Sequence, residues 1–333
     1  MSFLTSLSTC LIFVLAATAS FAGTETTYPI EIQHAFGTTV IFDKPKRVAT
    51  VAWANHEVPL ALGVVPVGFA AAQFGDDDGN GLLPWVESRL AELDAPVPTL
   101  FDEGDGIDFE AVAMTQPDVI LAAYSGLSRA DYDTLSLIAP VVAYPSSPWS
   151  TDWKSMIRIN SLGMGMAEEG EALITHIEQD VAHKVSRYPE LAGKRAMFIT
   201  HIDPTDLSVL RFYTANDTRV KFFADLGLAT PSRVEEVSCN GQFSGETSIE
   251  HIDDFDDVDM FVTYGSDELL SPLKTNPLMA KMRAVSTDSV VMLGRGPMAT
   301  AANPTPLSIP WVLDDYLGAL AKAARNSQSS HRL

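Results

Sequence analysis

The stretch MAEEGEALITHIEQDVAHKVSR, residues 166–187, decides the fold because it separates two halves of the chain that share one pattern. Its apolar side chains recur three or four residues apart, at Ile174, Ile177, Val181 and Val185. This spacing predicts an amphipathic helix that lies across a surface. Each half reads as alternating strands and helices, so we predict an α/β fold of two lobes. Central parallel sheets flanked by helices form each lobe, and one long rigid backbone helix joins them.

The pattern on either side of that helix sets the predicted domain boundaries. The segment DVILAA, residues 118–123, is a continuous apolar run of the kind found in sheets covered on both faces. Pro145, Pro148 and Trp149 indicate a crossing between the lobes. We therefore expect an N-terminal α/β lobe over 23–150, a crossing segment and backbone helix over 151–190, a C-terminal α/β lobe over 191–325, and a polar, disordered tail over 326–333.

The first 22 residues carry no charged side chain, and Leu11 to Ala17 form an apolar core that is followed by Ser20-Phe21-Ala22. This predicts a cleaved secretory signal peptide over 1–22 and a periplasmic, secreted protein. No other uncharged stretch approaches the ~20 residues that a spanning helix needs, so we expect the mature chain not to be membrane-embedded. Cleavage would leave Cys239 as the remaining cysteine, so no internal disulfide is expected.

The formal net charge of −21 narrows the possible partners. It argues against nucleic acid and against an anionic lipid surface, because both would be repelled. Any anionic ligand would need local arginine side chains to offset this field.

Short motifs, in order along the chain, carry a family resemblance. They are KPKRV (44–48), ALGVVPVG (61–68), QPDVIL (116–121), YSGL (124–127), IAP (138–140), SIE (248–250) and VDMFV (258–262). Together they resemble the helical-backbone periplasmic binding proteins that serve ABC importers for ferric siderophores, haem and cobalamin. The resemblance covers about residues 36–320 and implies two α/β lobes bridged by one helix, in agreement with the periodicity.

The resemblance also implies how the protein meets its partner. Such proteins act as monomers, and one acidic residue on each lobe meets arginines of the ABC permease dimer. The match on the second lobe is Glu250, at the start of a predicted helix. On the first lobe Asp131 or Asp133 must take this role. Acidic residues in the first turn of a helix are also favoured by the helix dipole alone, so a purely structural role stays open.

The ligand is expected between the lobes, at the carboxyl ends of the strands, where open α/β sheets bind ligands. Aromatic side chains there offer rigid contact area, and arginines offer charge-assisted hydrogen bonds to oxygen atoms. The candidates are Trp53, Trp85, Tyr124, Trp149, Trp153, Arg211, Tyr213, Tyr264 and Arg295. Each of them could equally be a core or rim residue.

The nature of the ligand follows by elimination. A haem carrier needs an axial His or Tyr, and His56 beside Glu57 is more typical of a surface position. Zinc or manganese carriers need clustered ligands, whereas the histidines of this chain are scattered. A ferric siderophore fits best, held without a direct protein ligand to the metal and without a cofactor; a haem or cobalamin carrier of the same fold remains the alternative.

A calcium loop is a second possibility for metal binding. Asp76, Asp78, Asn80 and Glu87 satisfy the spacing of oxygen donors in such a loop, with glycine at its sixth position. Pro84 falls inside the loop and no periodic helix precedes it. A solvated acidic loop is the favoured interpretation.

Other functional classes have less support in the sequence. An exported α/β hydrolase would need a nucleophile such as Ser125, but the chain has no Gly-x-Ser-x-Gly motif and no evident Asp and His in order. A signalling or adhesion module could use the same fold. We expect a binding protein and not an enzyme.

Overall fold

The computed structural model describes residues 26–329. The predicted signal peptide, residues 1–22, and the last four residues of the predicted tail lie outside this range. Within it, no helix is long and apolar enough to cross a membrane.

The N-terminal lobe is built on a five-stranded parallel sheet of order β5-β4-β3-β6-β7, preceded by an antiparallel hairpin, β1 with β2. Its strands are β1 Ile30–His34, β2 Gly37–Ile41, β3 Val48–Thr50, β4 Gly68–Ala70, β5 Thr99–Phe101, β6 Val119–Ala122 and β7 Val141–Ala143. Its helices are α1 Glu57–Ala61, α2 Pro84–Glu92, α3 Phe109–Met114 and α4 Arg129–Leu135. Strands β3, β6 and β7 are buried at every position, as expected for a sheet covered on both faces.

Two further helices, α5 Trp153–Gly163 and α6 Ala167–Val185, connect the lobes. The helix α6 buries Ile174, Ile177 and Val181, which confirms the predicted apolar face. Its first half packs on α5, and Arg158 of α5 pairs there with Glu171. The far end of α6 faces the last helix, where Lys184 and Arg187 both reach Asp314 at 3.1 Å and 2.9 Å.

The C-terminal lobe is built on a three-stranded parallel sheet of order β12-β11-β8, with an antiparallel hairpin, β9 with β10, beside it. Its strands are β8 Ala196–Phe198, β9 Val209–Tyr213, β10 Ser244–Ser248, β11 Met260–Thr263 and β12 Val290–Met292. Its helices are α7 Thr218–Asp225, α8 Ser232–Ser238, α9 Leu270–Thr275, α10 Arg283–Ser286, α11 Pro297–Ala301 and α12 Ser308–Ser329. Short 3₁₀ helices lie at Pro189–Leu191, Ile249–Phe255, Asp267–Leu269 and Met279–Lys281.

The predicted fold class is confirmed, and the elements at 248–255 and at the C-terminus differ from their predicted form. The crossing segment after Trp149 contains the helix α5, because Asp152 caps its first turn by accepting a hydrogen bond from the Ser155 N–H at 2.9 Å. The helix predicted to begin near Glu250 is a 3₁₀ helix, Ile249–Phe255, that is irregular at His251. The last helix does not give way to a tail at residue 326: it continues to Ser329, and the Asn326 side chain donates to the Asp288 carbonyl.

Candidate ligand-binding site

A cavity of about 300 Å³ lies between the lobes, beyond the carboxyl ends of the strands of both sheets. The N-terminal lobe contributes aromatic side chains to its wall, and the C-terminal lobe contributes aromatic, amide and guanidinium groups. The lining residues are Trp53, Phe74, Tyr124, Trp149, Arg219, Phe243, Tyr264, Ala299, Thr300 and Asn303. Aromatic rings with a few convergent polar groups are typical of a binding site for a small molecule.

A buried amide, Asn55, positions the aromatic wall of the N-terminal lobe. Its Nδ2 donates to the carbonyls of Val51 at 2.9 Å and Tyr124 at 2.8 Å, and its Oδ1 accepts from the Tyr124 N–H at 3.0 Å. The Asn160 side chain of α5 donates to the same Oδ1 at 3.0 Å. The loops after β3 and β6 are therefore fixed to each other and to α5, so Trp53 and Tyr124 are held by one network.

Trp149 completes this wall and depends on a glycine. Its backbone has φ +57° and its N–H donates to the Ser125 carbonyl at 3.0 Å. A Cβ atom at Gly126 would lie 2.3 Å from the Trp149 Nε1, so only glycine allows the indole to approach. The indole meets the Tyr124 ring edge to face, with 5.3 Å between ring centroids.

The wall of the C-terminal lobe is organised by Arg219, in the first turn of α7. Its guanidinium forms a bidentate pair with Asp217, through Nε–Oδ1 and Nη2–Oδ2 contacts of 2.9 Å each. It also lies over the Tyr213 ring, with Cζ 3.8 Å from the ring centroid. The Asp217 side chain is fully buried and that of Arg219 is 13% exposed, so the pair is largely shielded from water.

The pKa values of these groups reflect that shielding. Burial opposes the charge on Arg219, but Asp217 and the surrounding tyrosines raise the pKa of the guanidinium well above its ordinary value. Burial raises the pKa of Tyr264, and it raises that of Tyr124 to about 12. At neutral pH the wall therefore holds one permanent cation, its paired anion and neutral phenols.

The lobes touch each other around the cavity. Phe74 meets Tyr264 at right angles with 5.8 Å between centroids, and the Thr300 hydroxyl donates to the Phe74 carbonyl at 3.1 Å. The Asn303 side chain donates to the Tyr124 hydroxyl at 3.4 Å. Groups from both lobes thus enclose the same space.

Several side chains predicted from the sequence meet here. Trp53, Tyr124, Trp149 and Tyr264 line the cavity. Tyr213 lies beneath the Arg219 guanidinium. Arg295 is exposed and lines an adjacent cavity of about 540 Å³, which shares Tyr264 with the first.

Three other residues predicted to bind the ligand do not line this cavity. Trp85 is buried, and its Nε1–H donates to Glu57 at 2.8 Å. Trp153 is buried, and its Nε1–H donates to Asp225 at 2.9 Å. Arg211 is exposed on the β9–β10 hairpin, 3.3 Å from Glu246. Carboxylates distant in sequence thus bind the two indoles inside the protein.

The sequence-based prediction also missed residues that line the cavity, namely Phe74, Arg219, Phe243, Ala299, Thr300 and Asn303. One signal for Arg219 was available. A cation in the first turn of a helix interacts unfavourably with the helix dipole. An arginine at this position, two residues after Asp217, therefore indicates a role other than stabilising the helix.

Of the acidic residues proposed for docking, Glu250 and Asp133 are exposed and Asp131 is half-buried. Glu250 is the second residue of the 3₁₀ helix Ile249–Phe255. Asp131 forms a capping box with Ser128, accepting from its N–H at 2.9 Å, and Asp133 pairs with Arg129 at 2.9 Å. Both acids on the first lobe therefore also have a local structural role.

The acidic loop around Asp76 is folded by its own hydrogen bonds. The Asp76 carboxylate accepts the N–H groups of Gly79 at 2.8 Å and Gly81 at 2.7 Å, and Asp78 accepts that of Asn80 at 3.1 Å. Glu87 lies exposed on α2. Across residues 26–329 no group of three or more His, Cys, Asp or Glu side chains is arranged to hold a metal ion.

Two residues relevant to the alternative functions are also buried. The Ser125 hydroxyl donates to the Ala122 carbonyl at 2.8 Å. His56 is stacked on Phe69 with 4.3 Å between centroids, and burial lowers its pKa to about 3. The prediction that His56 is a solvated surface residue was wrong, because the first turn of α1 faces inward.

Comparison with known proteins gives consistent results. The periplasmic binding protein family model matches residues 48–295. The structure of PiaA from Streptococcus pneumoniae TIGR4 in complex with ferrichrome has a TM-score of 0.86 and 42% identity, over 89% of this chain and 99% of that chain. The probable siderophore-binding lipoprotein YfiY of Bacillus subtilis (strain 168) is 25% identical over 241 residues, 71% of this chain and 69% of YfiY. Staphylococcus aureus SirA with staphyloferrin B, at 21% identity and a TM-score of 0.63 over 89% of this chain and 96% of that chain, shares the fold.

Proposed function

The chain belongs to the periplasmic binding protein family, and we propose that it captures a ferric siderophore outside the cytoplasmic membrane and delivers it to the permease of an ABC importer. The observation that carries this proposal is the aromatic cavity enclosed by both lobes, with Arg219 at its wall. Resemblance to the ferrichrome complex of PiaA over 89% of the chain supports it. The protein acts by binding and release, as a monomer and without catalysis.

The charge of the cavity favours a particular class of siderophore. Of the described residues that line it, Arg219 is the one with a basic side chain, and Asp217 neutralises it. The net charge of −21 repels anions at long range. Ferric complexes of three catecholates carry a charge of about −3 and citrate complexes are also anionic, whereas three singly charged hydroxamates balance Fe³⁺. A neutral ferric trihydroxamate such as ferrichrome, the ligand of PiaA, therefore suits this wall best.

Each part of the wall then has a role in binding. The rings of Trp53, Tyr124 and Trp149 cover the apolar periphery of the complex. The Arg219 guanidinium has N–H groups beyond those used by Asp217, and these can donate to hydroxamate oxygens. The iron keeps the oxygen ligands of the siderophore, so the protein needs no metal ligand of its own.

The proposal is tested by titrating the mature chain with ferric complexes while intrinsic tryptophan fluorescence is recorded. Ferrichrome should quench the fluorescence saturably, and a ferric tris-catecholate and ferric citrate should bind at least about tenfold more weakly. Haem, cobalamin and iron-free ferrichrome are the controls. Preferred binding of haem or cobalamin, or no binding of any ferric complex, would reject the proposed function.

Delivery is proposed to use acids on both lobes, Glu250 on one and Asp131 or Asp133 on the other. Glu250→Lys should impair uptake of the ferric complex by cells while its affinity in solution stays the same, because the acid lies outside the cavity. Glu235→Lys, a charge reversal at another exposed acid of the same lobe, is the matched control. An equal loss of affinity in the Glu250 variant would contradict a docking role.

A further inference from the structure

The loop that carries Trp53 has an unfavourable backbone conformation. Ala52 has φ +60° and Ala54 has φ +61°, so the residues on both sides of the tryptophan are left-handed without being glycine. Residues with a Cβ atom rarely adopt this conformation, and it persists only where surrounding groups impose it. The loop therefore needs a specific restraint.

Side-chain packing restrains the loop only in part, since Trp53 is half-buried against the hydrophobic core. Trp53 lines the main cavity on one side and a second cavity of about 170 Å³ on the other, and Phe74 also lines both. The indole thus borders both cavities, and we call it the partition between them. Its Nε1–H is buried and has no hydrogen-bond partner among the described residues. No hydrogen bond of the indole therefore fixes the ring, and its position depends on packing against the core and on the backbone that carries it.

Glu103 supplies a restraint on that backbone. It follows β5 at the far side of the second cavity, and both of its carboxylate oxygens accept the Ala52 N–H, at 3.1 Å and 2.9 Å. Within residues 26–329 the carboxylate has no ion pair. Burial raises its pKa to about 7, against the opposing effect of the Ala52 hydrogen bond. A largely buried, unpaired carboxylate is unfavourable for folding, so its presence calls for another role.

We propose that Glu103 is a positioning residue, which holds Ala52 in its left-handed conformation and so fixes the Trp53 indole as the ligand-facing partition of the cavity. This inference rests on the proposed function only for the consequence that ligand affinity depends on Glu103. The restraint on Trp53 does not depend on a ligand, so it can be tested even if the protein binds no ferric siderophore.

The ligand-free arm of the test uses acrylamide quenching of tryptophan fluorescence. The contribution of Trp53 is obtained by subtracting the signal of matched Trp53→Phe variants. In Glu103→Ala this contribution should be quenched more strongly than in the wild type, because the freed loop exposes the indole. In Glu103→Gln it should stay close to wild type, since the amide oxygen still accepts the Ala52 N–H. Unchanged quenching in Glu103→Ala would overturn the proposal.

The ligand arm measures the affinity for ferrichrome in the same variants. Glu103→Ala should weaken binding about tenfold, and Glu103→Gln by less than about threefold. In an Ala52→Gly background the penalty of Glu103→Ala should fall below about threefold, because glycine adopts a positive φ without strain. An equal penalty in both backgrounds would show that Glu103 does not act through Ala52. If the wild type binds no ferric complex, the proposed function fails while the ligand-free arm still decides the role of Glu103.

Discussion

Two places where the lobes meet can be compared. We call the cavity lined by Trp53 and Arg219 the front, and the contact of Glu57 and Trp85 with residues 305–307 the rear. Both contain a tryptophan and charged side chains, but their tryptophan N–H groups differ in whether they have a hydrogen-bond partner. At the front, Trp53 and Arg219 face a cavity, and the Trp53 Nε1–H has no partner among the described residues. At the rear, Glu57 accepts hydrogen bonds from the Trp85 indole at 2.8 Å, the Leu307 N–H at 3.2 Å and the Thr305 hydroxyl. The Glu57 carboxylate is thus satisfied by the protein itself, whereas the Trp53 N–H at the cavity is left open.

Mutations at the front and at the rear are therefore expected to have different effects. Changes at the front should alter affinity, and changes at the rear should alter stability. Arg219 is expected to affect both affinity and stability, because it faces the cavity and also neutralises a buried acid.

The largest effect is expected for Arg219→Ala. The fully buried Asp217 would lose its partner, so the free energy of unfolding should fall by about 3–5 kcal/mol. Ferrichrome affinity should fall at least about 100-fold, through loss of the guanidinium donors. Urea unfolding and fluorescence titration measure the two quantities.

A double variant separates these two roles of Arg219. Asp217→Asn combined with Arg219→Gln removes both charges and keeps a capping side chain at the start of α7. It should recover most of the lost stability and little of the affinity. Recovery of both would mean that Arg219 serves the fold alone.

The next prediction concerns the pH dependence of stability, to which Glu57 at the rear contributes. Burial raises the pKa of Glu57 from an ordinary 4.5 to about 7, against the opposing effect of its hydrogen bonds. Between these values the unfolded chain releases the proton and the folded chain keeps it, so stability falls as pH rises from about 4.5 to 7. Glu57 should contribute about 3 kcal/mol to that fall.

Urea unfolding across this pH range measures the change. Glu57→Gln should flatten the dependence without changing ferrichrome affinity at pH 7. Glu103 also has a pKa raised to about 7, so Glu103→Gln is measured alongside to separate the two contributions. A wild-type protein whose stability rises over the same interval would contradict the assignment.

A smaller difference is expected between substitutions of Trp53 and of Trp85. Trp53→Ala should weaken ferrichrome binding about tenfold, since the ring lines the cavity. Trp85→Phe should leave affinity unchanged and lower stability by about 1–2 kcal/mol, because Glu57 loses a donor. Equal effects of both variants on affinity would erase the distinction between front and rear.

The smallest effect is expected at Arg211, which the sequence favoured as a ligand contact. It is exposed and pairs with Glu246 on a surface hairpin, so Arg211→Ala should change affinity by less than about twofold and stability by less than about 0.5 kcal/mol. The same fluorescence titration and urea unfolding measure both. A tenfold loss of affinity would place the hairpin in the binding site.

The fold was predictable because its signals are local. The periodicity of Ile174, Ile177 and Val181 predicts α6, and the apolar run at 119–122 predicts a covered strand. The helix α5 was missed although Asp152 is a recognisable cap, because the prolines and Trp149 before it dominated the interpretation.

The site was predictable only in part, because its composition depends on contacts between distant residues. Trp53, Tyr124 and Tyr264 follow from the rule that ligands bind at the carboxyl ends of parallel strands. Trp85 and Trp153 look the same in the sequence, but their acceptors, Glu57 and Asp225, are 28 and 72 residues away. Pairing at that distance has no local signature.

The anomalous scattering of iron, in crystals of the protein grown with ferrichrome, tests most directly whether the ferric complex binds in the cavity between the lobes. We expect one iron peak between the lobes, with Trp53 and Tyr124 on one side, Arg219 and Tyr264 on the other, and no protein atom bound to the metal. An iron peak outside this cavity, or an iron bound directly by a protein side chain, would contradict it.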